Sequence, residues 1–244
     1  MTSYHGGKQR IGPDIANHIY SISTLIEQNT DFVIKGYCEP FCGMLGVYRH
    51  MYSLLHSHYP KLKYKAGDAN ESVIKMWQRS HNGWVPPVYV SENEYNRLKI
   101  SKESALKGYV GHQFSFGGQY FKGYIGKYKN IGSQQSASDR ICEIADELDL
   151  VEFSSGSYEQ FSKLKNYIIY CDPPYGGGVQ SFYNSKFCHE QFWNWVRKMS
   201  VHNIIFVSEY KAPKDFTTIM NKKHTVNVKG RDAVGREKLF MYKN

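Results

Sequence analysis

No apolar run in this 244-residue chain reaches the ~18 residues that a membrane-spanning helix needs, and the opening MTSYHGGKQR lacks the continuous apolar stretch of a secretory signal. A soluble, intracellular protein of the cytoplasm is therefore expected, with no membrane partner. The cysteines (Cys38, Cys42, Cys142, Cys171 and Cys188) are odd in number and form no CxxC pair, so neither a disulfide framework nor a zinc knuckle is signalled and no metal is expected. GxGxxG is also missing, and with it the phosphate-binding fingerprint of a nicotinamide-dependent oxidoreductase. There is no internal repeat and no low-complexity tail.

What the chain does contain is a 41% share of hydrophobic residues, enough to exclude wholesale disorder and to build one large α/β domain or a domain carrying an insertion. A net charge of +9 and a 15% aromatic content with 20 tyrosines suit a surface that meets polyanions and stacks on bases.

The ends of the chain alternate between strand and helix signals. Ile15, Ile19, Ile22 and Ile26 recur at helical spacing behind Gly12-Pro13-Asp14, a helix-start signal. DFVIKGYCEPF reads as a strand, GVYRHMYSLLHSHY as a helix, LKYKAGDAN as a second strand and ESVIKMW as the next helix, which together make a βαβ unit of a parallel sheet. From about residue 78 to 165 this rhythm breaks down. A charged, helix-like piece (SENEYNRLKISKESALKG) precedes YVGHQFSFGGQYFKGYIGKYKN, where glycines, aromatics and lysines interleave. The strand YIIYC restores the alternation. Phe192, Trp195, Val196 and Met199 then mark an amphipathic helix, NIIFVSEY a further strand, and HTVNVK with KLFMY a closing hairpin around GRDAVGRE.

YIIYC stops abruptly at Asp172-Pro173-Pro174-Tyr175, followed by three glycines. In open α/β sheets ligands bind at the carboxyl ends of strands, and Asp172 falls at such an end. The prolines fix the backbone and donate no hydrogen bonds, leaving carbonyls to point into a site, while Tyr175 supplies a flat face. An acid, a rigid carbonyl and an aromatic plane suit an amino-bearing heterocycle. Three more segments extend the pattern: YHGGK (Tyr4 to Lys8), EPFCGMLG (Glu39 to Gly46) and GDAN (Gly67 to Asn70). A glycine turn after the first strand lets backbone approach a cofactor, and an acid about 20 residues on, here Asp68, accepts hydrogen bonds from ribose hydroxyls.

In this order the four segments resemble the Dam-like, DPPY-type DNA adenine methyltransferases, in their phage-type branch. SFGGQYF, SFYNSKFCHEQFWNWV and FVSEYKAPKDF are similar to further segments of that branch. The resemblance implies a Rossmann-like α/β methyltransferase sheet with helices on both faces. Residues 1–77 and 166–244 would form the catalytic domain, and 78–165 an inserted target-recognition region. It implies S-adenosyl-L-methionine as cofactor, contacted by Tyr4, Lys8, Glu39, Phe41, Gly43, Asp68 and Asp172. Lys8 would lie near the methionine carboxylate. Asp172, Pro173, Pro174 and Tyr175 would be the catalytic residues acting on a flipped-out adenine of double-stranded DNA. Within the basic middle region, Lys122, Lys127 and Lys129 are the candidates for phosphate contact. One departure stands out: Leu45 occupies the position of the second glycine in the family's G-x-G turn. Either the turn is shifted by a residue or the cofactor is approached less closely. Competing readings are transfer to cytosine, RNA or a protein amide, and a catalytically silent nucleic-acid-binding module.

Overall fold

The computed structural model describes residues 4, 6–128, 131–175, 187–228 and 231–243. Its frame is a seven-stranded sheet in the order β3-β2-β1-β4-β5-β7-β6. The strands are β1 (Gly36–Glu39), β2 (Lys63–Asp68), β3 (Val151–Ser155), β4 (Tyr167–Cys171), β5 (Ile204–Ser208), β6 (Phe216–Val228) and β7 (Arg231–Tyr242). The first five run parallel, while β7 pairs antiparallel with β5 and with β6.

Two cores sandwich the sheet, and strand alternation divides them. Ile168, Tyr170, Ile204 and Phe206 face one side together with α1 (Gly12–Asn29), α2 (Tyr48–His58) and α3 (Glu71–His81). Ile169, Cys171, Ile205 and Val207 face the other, against Phe192, Val196 and Met199 of α7 (His189–Ser200). Covered on both faces, YIIYC and IIFV read as continuous apolar runs rather than alternating ones. Truncating Ile169, which is fully buried, to alanine would cost about 2–5 kcal/mol.

The chain leaves β1 through α2 to β2, continues outward to β3, and then returns to the opposite side of β1 as β4. The strand order therefore reverses between β1 and β4, and the crevice for a ligand opens at their carboxyl ends. Glu39 and Asp172 stand at that crevice.

Several elements differ from the sequence expectation. The first strand is confined to Gly36–Glu39. The charged middle piece forms two helices, α4 (Glu92–Lys99) and α5 (Ala105–Gln113), because Ser91 and Ser104 each cap a new helix by accepting from a backbone N–H, of Glu94 and Lys107 respectively. A further helix, α6 (Ile131–Glu147), buries Ile141 and Ile144, and Val151–Ser155 adds to the sheet beside β2. GRDAVGRE is largely strand: the closing ribbon is paired as far as Val228↔Arg231.

Candidate active site

Lys8 is fixed by its own backbone before its side chain does anything. Its carbonyl accepts from the N–H groups of Ile11 (3.1 Å) and Gly12 (2.6 Å) at the start of α1, where Pro13 and Asp14 favour helix initiation. Gly46 packs on the same stretch: a Cβ there would lie 3.1 Å from backbone atoms of Lys8 and Gln9. The turn after β1 and the YHGGK segment thus lock together by close backbone approach.

That turn accounts for Leu45. It adopts φ +56°, a conformation glycine takes without cost, and its side chain is completely buried in the core. The bulky residue points away from the crevice. Gly43 carries the positive φ (+44°) on the site side, and a Cβ there would lie 2.9 Å from the Tyr4 ring. Its carbonyl accepts from the Trp77 indole N–H at 2.8 Å, and its N–H donates to Asp68 Oδ2 at 3.0 Å.

Asp68, at the end of β2, takes a second backbone donor on Oδ1, the Asn70 N–H at 2.8 Å, and Asn70 in turn caps α3 through the N–H groups of Ser72 and Val73. Burial raises the Asp68 pKa from its ordinary value, and the two N–H donors oppose that rise. A carboxylate offers about four lone-pair directions, so acceptor capacity remains for a ligand hydroxyl.

Asp172 follows β4 with its side chain 18% exposed, and the Lys8 ammonium lies 2.9 Å from its Oδ1. Glu237 of β7 approaches the same ammonium at 3.9 Å and accepts a 2.6 Å hydrogen bond from the Tyr175 hydroxyl. The Lys8 ammonium also sits 4.6 Å from the centre of the Tyr175 ring, whose position is fixed further by an edge contact with Tyr210 at 4.7 Å. Burial lifts the Asp172 carboxyl, Lys8 opposes that and Glu237 adds to it, leaving a pKa of about 6. Burial works against the Lys8 charge, but Asp172 and Glu237 hold its ammonium above the ordinary lysine range. Burial also raises Tyr175 well above the usual phenol value.

Glu39 is buried at the end of β1 and accepts from Tyr37 Oη at 2.6 Å; burial, with Asp172 nearby, pushes its carboxyl well up. Phe41 packs against Tyr158, Phe187 and Phe192 at 5.6–5.9 Å, forming the apolar wall of the crevice. Pro173 is buried and Pro174 partly so. Lys122 and Lys127 are exposed in the middle region, with Lys127 over the Tyr128 ring at 5.1 Å; Lys129 lies outside the described residues.

Two participants escaped sequence reasoning. Glu237 shares a strand face with Leu239, which is fully buried, so its two-residue spacing from a core position was the available signal. His112 joins the middle region to the site: its ring meets Tyr4 at 4.6 Å and Tyr120 at 4.8 Å, and its Nδ1 pairs with the Gly118 carbonyl at 2.9 Å. Burial lowers its pKa to about 4, so it packs as a neutral ring at physiological pH. YHGGK and SFGGQYF, 111 positions apart at their first residues, are thereby neighbours.

Residues 114–226 match the D12 class N6 adenine-specific DNA methyltransferase family. That stretch is a D12 class adenine-methyltransferase region. The matched stretch of this methyltransferase includes SFGGQYF and Asp172 to Tyr175, while YHGGK, EPFCGMLG and GDAN precede it. No curated protein matches the sequence. Among solved structures, the rRNA methyltransferase aviRa from Streptomyces viridochromogenes is 12% identical with a TM-score of 0.36, over 95% of this chain and 84% of that one. PH1948 from Pyrococcus horikoshii is 9% identical with a TM-score of 0.38, over 93% and 82%. HI0767 from Haemophilus influenzae is 12% identical with a TM-score of 0.35, over 93% and 99%. At such scores these likenesses assign neither substrate nor site residues. Among the described residues no helix is long and apolar enough to cross a membrane, and no group of three or more His, Cys, Asp or Glu side chains is placed to hold a metal ion.

Proposed function

We propose that this methyltransferase transfers a methyl group from S-adenosyl-L-methionine to the exocyclic N6 amine of an adenine flipped out of duplex DNA. The observation that carries the reading is the Asp172 carboxylate, held by Lys8 at the carboxyl end of β4 and followed by Pro173, Pro174 and Tyr175.

The residues present fit the cofactor. Asp172 after β4 and Glu237 of β7 both face one described ammonium, that of Lys8, and Asp68 adds a third carboxylate at the end of β2, with Glu39 buried between them at the end of β1. This surplus of negative charge suits a ligand carrying a sulfonium and an α-ammonium group. Asp68 has acceptor capacity for the ribose, Gly43 and Tyr4 form the floor beside it, and Phe41 lines the wall. When bound, S-adenosyl-L-methionine supplies an electrophilic methyl group.

The chain's own work is positioning. The adenine amine is a poor nucleophile because its lone pair is delocalised into the ring. Accepting its two N–H groups at the Asp172 carboxylate and the Pro173 carbonyl favours a more tetrahedral nitrogen and exposes the lone pair. Lys8 keeps Asp172 ionised until the base arrives, then gives up its place over Tyr175, on which the base stacks. Flipping costs a few kcal/mol, recovered through the pocket and phosphate contacts. The recognition element lies within residues 78–165, and its stretch from α5 to Tyr128 reaches the site through His112. Lys122 and Lys127 contact phosphates there, with Lys129 as the third candidate.

The test is transfer of labelled methyl to unmethylated duplex DNA, comparing wild type with Asp172→Ala and identifying the modified base after digestion. Label in N6-methyladenine that disappears in the variant is the expected result. Cofactor binding with transfer to RNA and none to DNA would overturn the substrate assignment; absence of cofactor binding would overturn the reading altogether.

A further inference from the structure

The β6–β7 ribbon outgrows the sheet it belongs to. β7 pairs with β5 only at Val207↔Phe240 and Ser208↔Leu239, yet β6 and β7 continue together for eight more cross-strand pairs, from Asn221↔Lys238 to Val228↔Arg231. At ~3.3 Å per residue this is a two-stranded arm about 26 Å long. Because β7 is antiparallel to β5, the arm extends past the carboxyl end of β5, on the edge of the sheet where Asp172 follows β4.

The foot of the arm belongs to the active site. Glu237, paired with Lys222 in register, accepts the 2.6 Å hydrogen bond from Tyr175. Lys222 ties the same level to α1 through a 2.6 Å ion pair with Asp14. A duplex presenting a base to Tyr175 therefore has to pass along the arm.

The arm's charge is one-sided. Residues 221–238 contain Lys222, Lys223, Lys229, Arg231, Arg236 and Lys238 against Asp232 and Glu237, and Glu237 is turned inward and buried. Lys223 and Arg236 are exposed and directly opposite each other. Like charges in direct cross-strand pairs destabilise a ribbon, so this pair costs stability in the free protein and gains it once an anion bridges both groups. A two-stranded ribbon has the width that the major groove of B-DNA admits.

Resting on the reading of a DNA substrate, we propose that the β6–β7 arm is a second DNA-binding element, separate from residues 78–165, with Lys223 and Arg236 clamping the phosphate backbone beside the flipped base.

The test is binding of a short fluorescein-labelled duplex, followed from ~50 to ~200 mM salt, together with methyl transfer. Lys223→Glu puts opposite charges across the ribbon, so it should leave the melting temperature unchanged or higher while weakening DNA binding about fivefold or more. Lys223→Gln/Arg236→Gln should weaken it about tenfold near 0.1 M salt and reduce the log–log salt slope by about 2. Lys35→Glu/Lys61→Glu, at the opposite edge of the sheet, removes at least as much net positive charge and should leave binding near wild type. Unchanged affinity and slope in both ribbon variants, while wild type methylates DNA, would overturn the arm alone. Equal losses in the Lys35/Lys61 control would reduce the effect to bulk charge and overturn it too. A wild type that binds and methylates no DNA would overturn the arm together with the reading beneath it.

Discussion

The Lys8 ammonium stands 2.9 Å from the Asp172 carboxylate, joining a residue of the N-terminal turn to the end of a central strand 164 positions later. The ion pair holds a buried acid in its charged form, the form that accepts a hydrogen bond from an adenine amine most strongly. Glu237 and Tyr175 complete the group.

This arrangement sets an acid limb on activity. Asp172 has a pKa of about 6, faced by Lys8, Glu237, Tyr175, Tyr170 and Glu39, so kcat/KM should be level above that value and fall about tenfold per pH unit below it. Lys8→Met removes the cation that the described residues set against Asp172 and leaves the negative neighbours, so the limb should move upward by about 1 unit or more. A pH–rate profile of both proteins checks it; an unmoved limb would show that Asp172 is not the titrating group.

Asp172→Asn keeps the shape of the side chain but makes one of its two acceptors a donor that opposes the amine. Single-turnover methyl transfer, measured at saturating S-adenosyl-L-methionine so that weaker cofactor binding does not enter, should slow by about 10²–10³-fold.

Glu237 acts through Tyr175 and Lys8 rather than on the substrate. Glu237→Gln can still accept the tyrosine hydroxyl and should retain most base flipping, read by 2-aminopurine fluorescence at the target position. Glu237→Ala should lose it about tenfold. In a double-mutant cycle with Tyr175→Phe the two losses should be less than additive. Additive losses would mean that the 2.6 Å hydrogen bond contributes nothing to holding the ring.

Gly43→Ala places a methyl group 2.9 Å from the Tyr4 ring at a backbone φ of +44°. Destabilisation of about 1–3 kcal/mol is expected, visible as a lower Tm, along with weaker cofactor binding as Tyr4 is displaced. Adding Tyr4→Ala should remove the clash but keep the backbone strain, recovering part of the stability.

Much of this protein was already determined by local sequence. YIIYC and IIFV are apolar at every position, which demands a strand covered on both faces; Asp172 follows a strand end because a buried apolar run stops at it; and the Ile15–Ile19 spacing fixes the buried side of α1. Such features depend on neighbours a few residues away, within reach of periodicity. The tertiary structure alone decided which distant groups meet. Tyr175 and Glu237 are 62 positions apart and touch because β7 turns back antiparallel beside β5, which nothing local specifies. Leu45 turns into the core, and Lys8 onto Asp172, because the first turn of α1 is pressed against Gly46. The length of the β6–β7 arm was hidden for the opposite reason. Gly235 looks like a turn residue, and cross-strand register, a property of two strands at once, places it within a strand opposite His224.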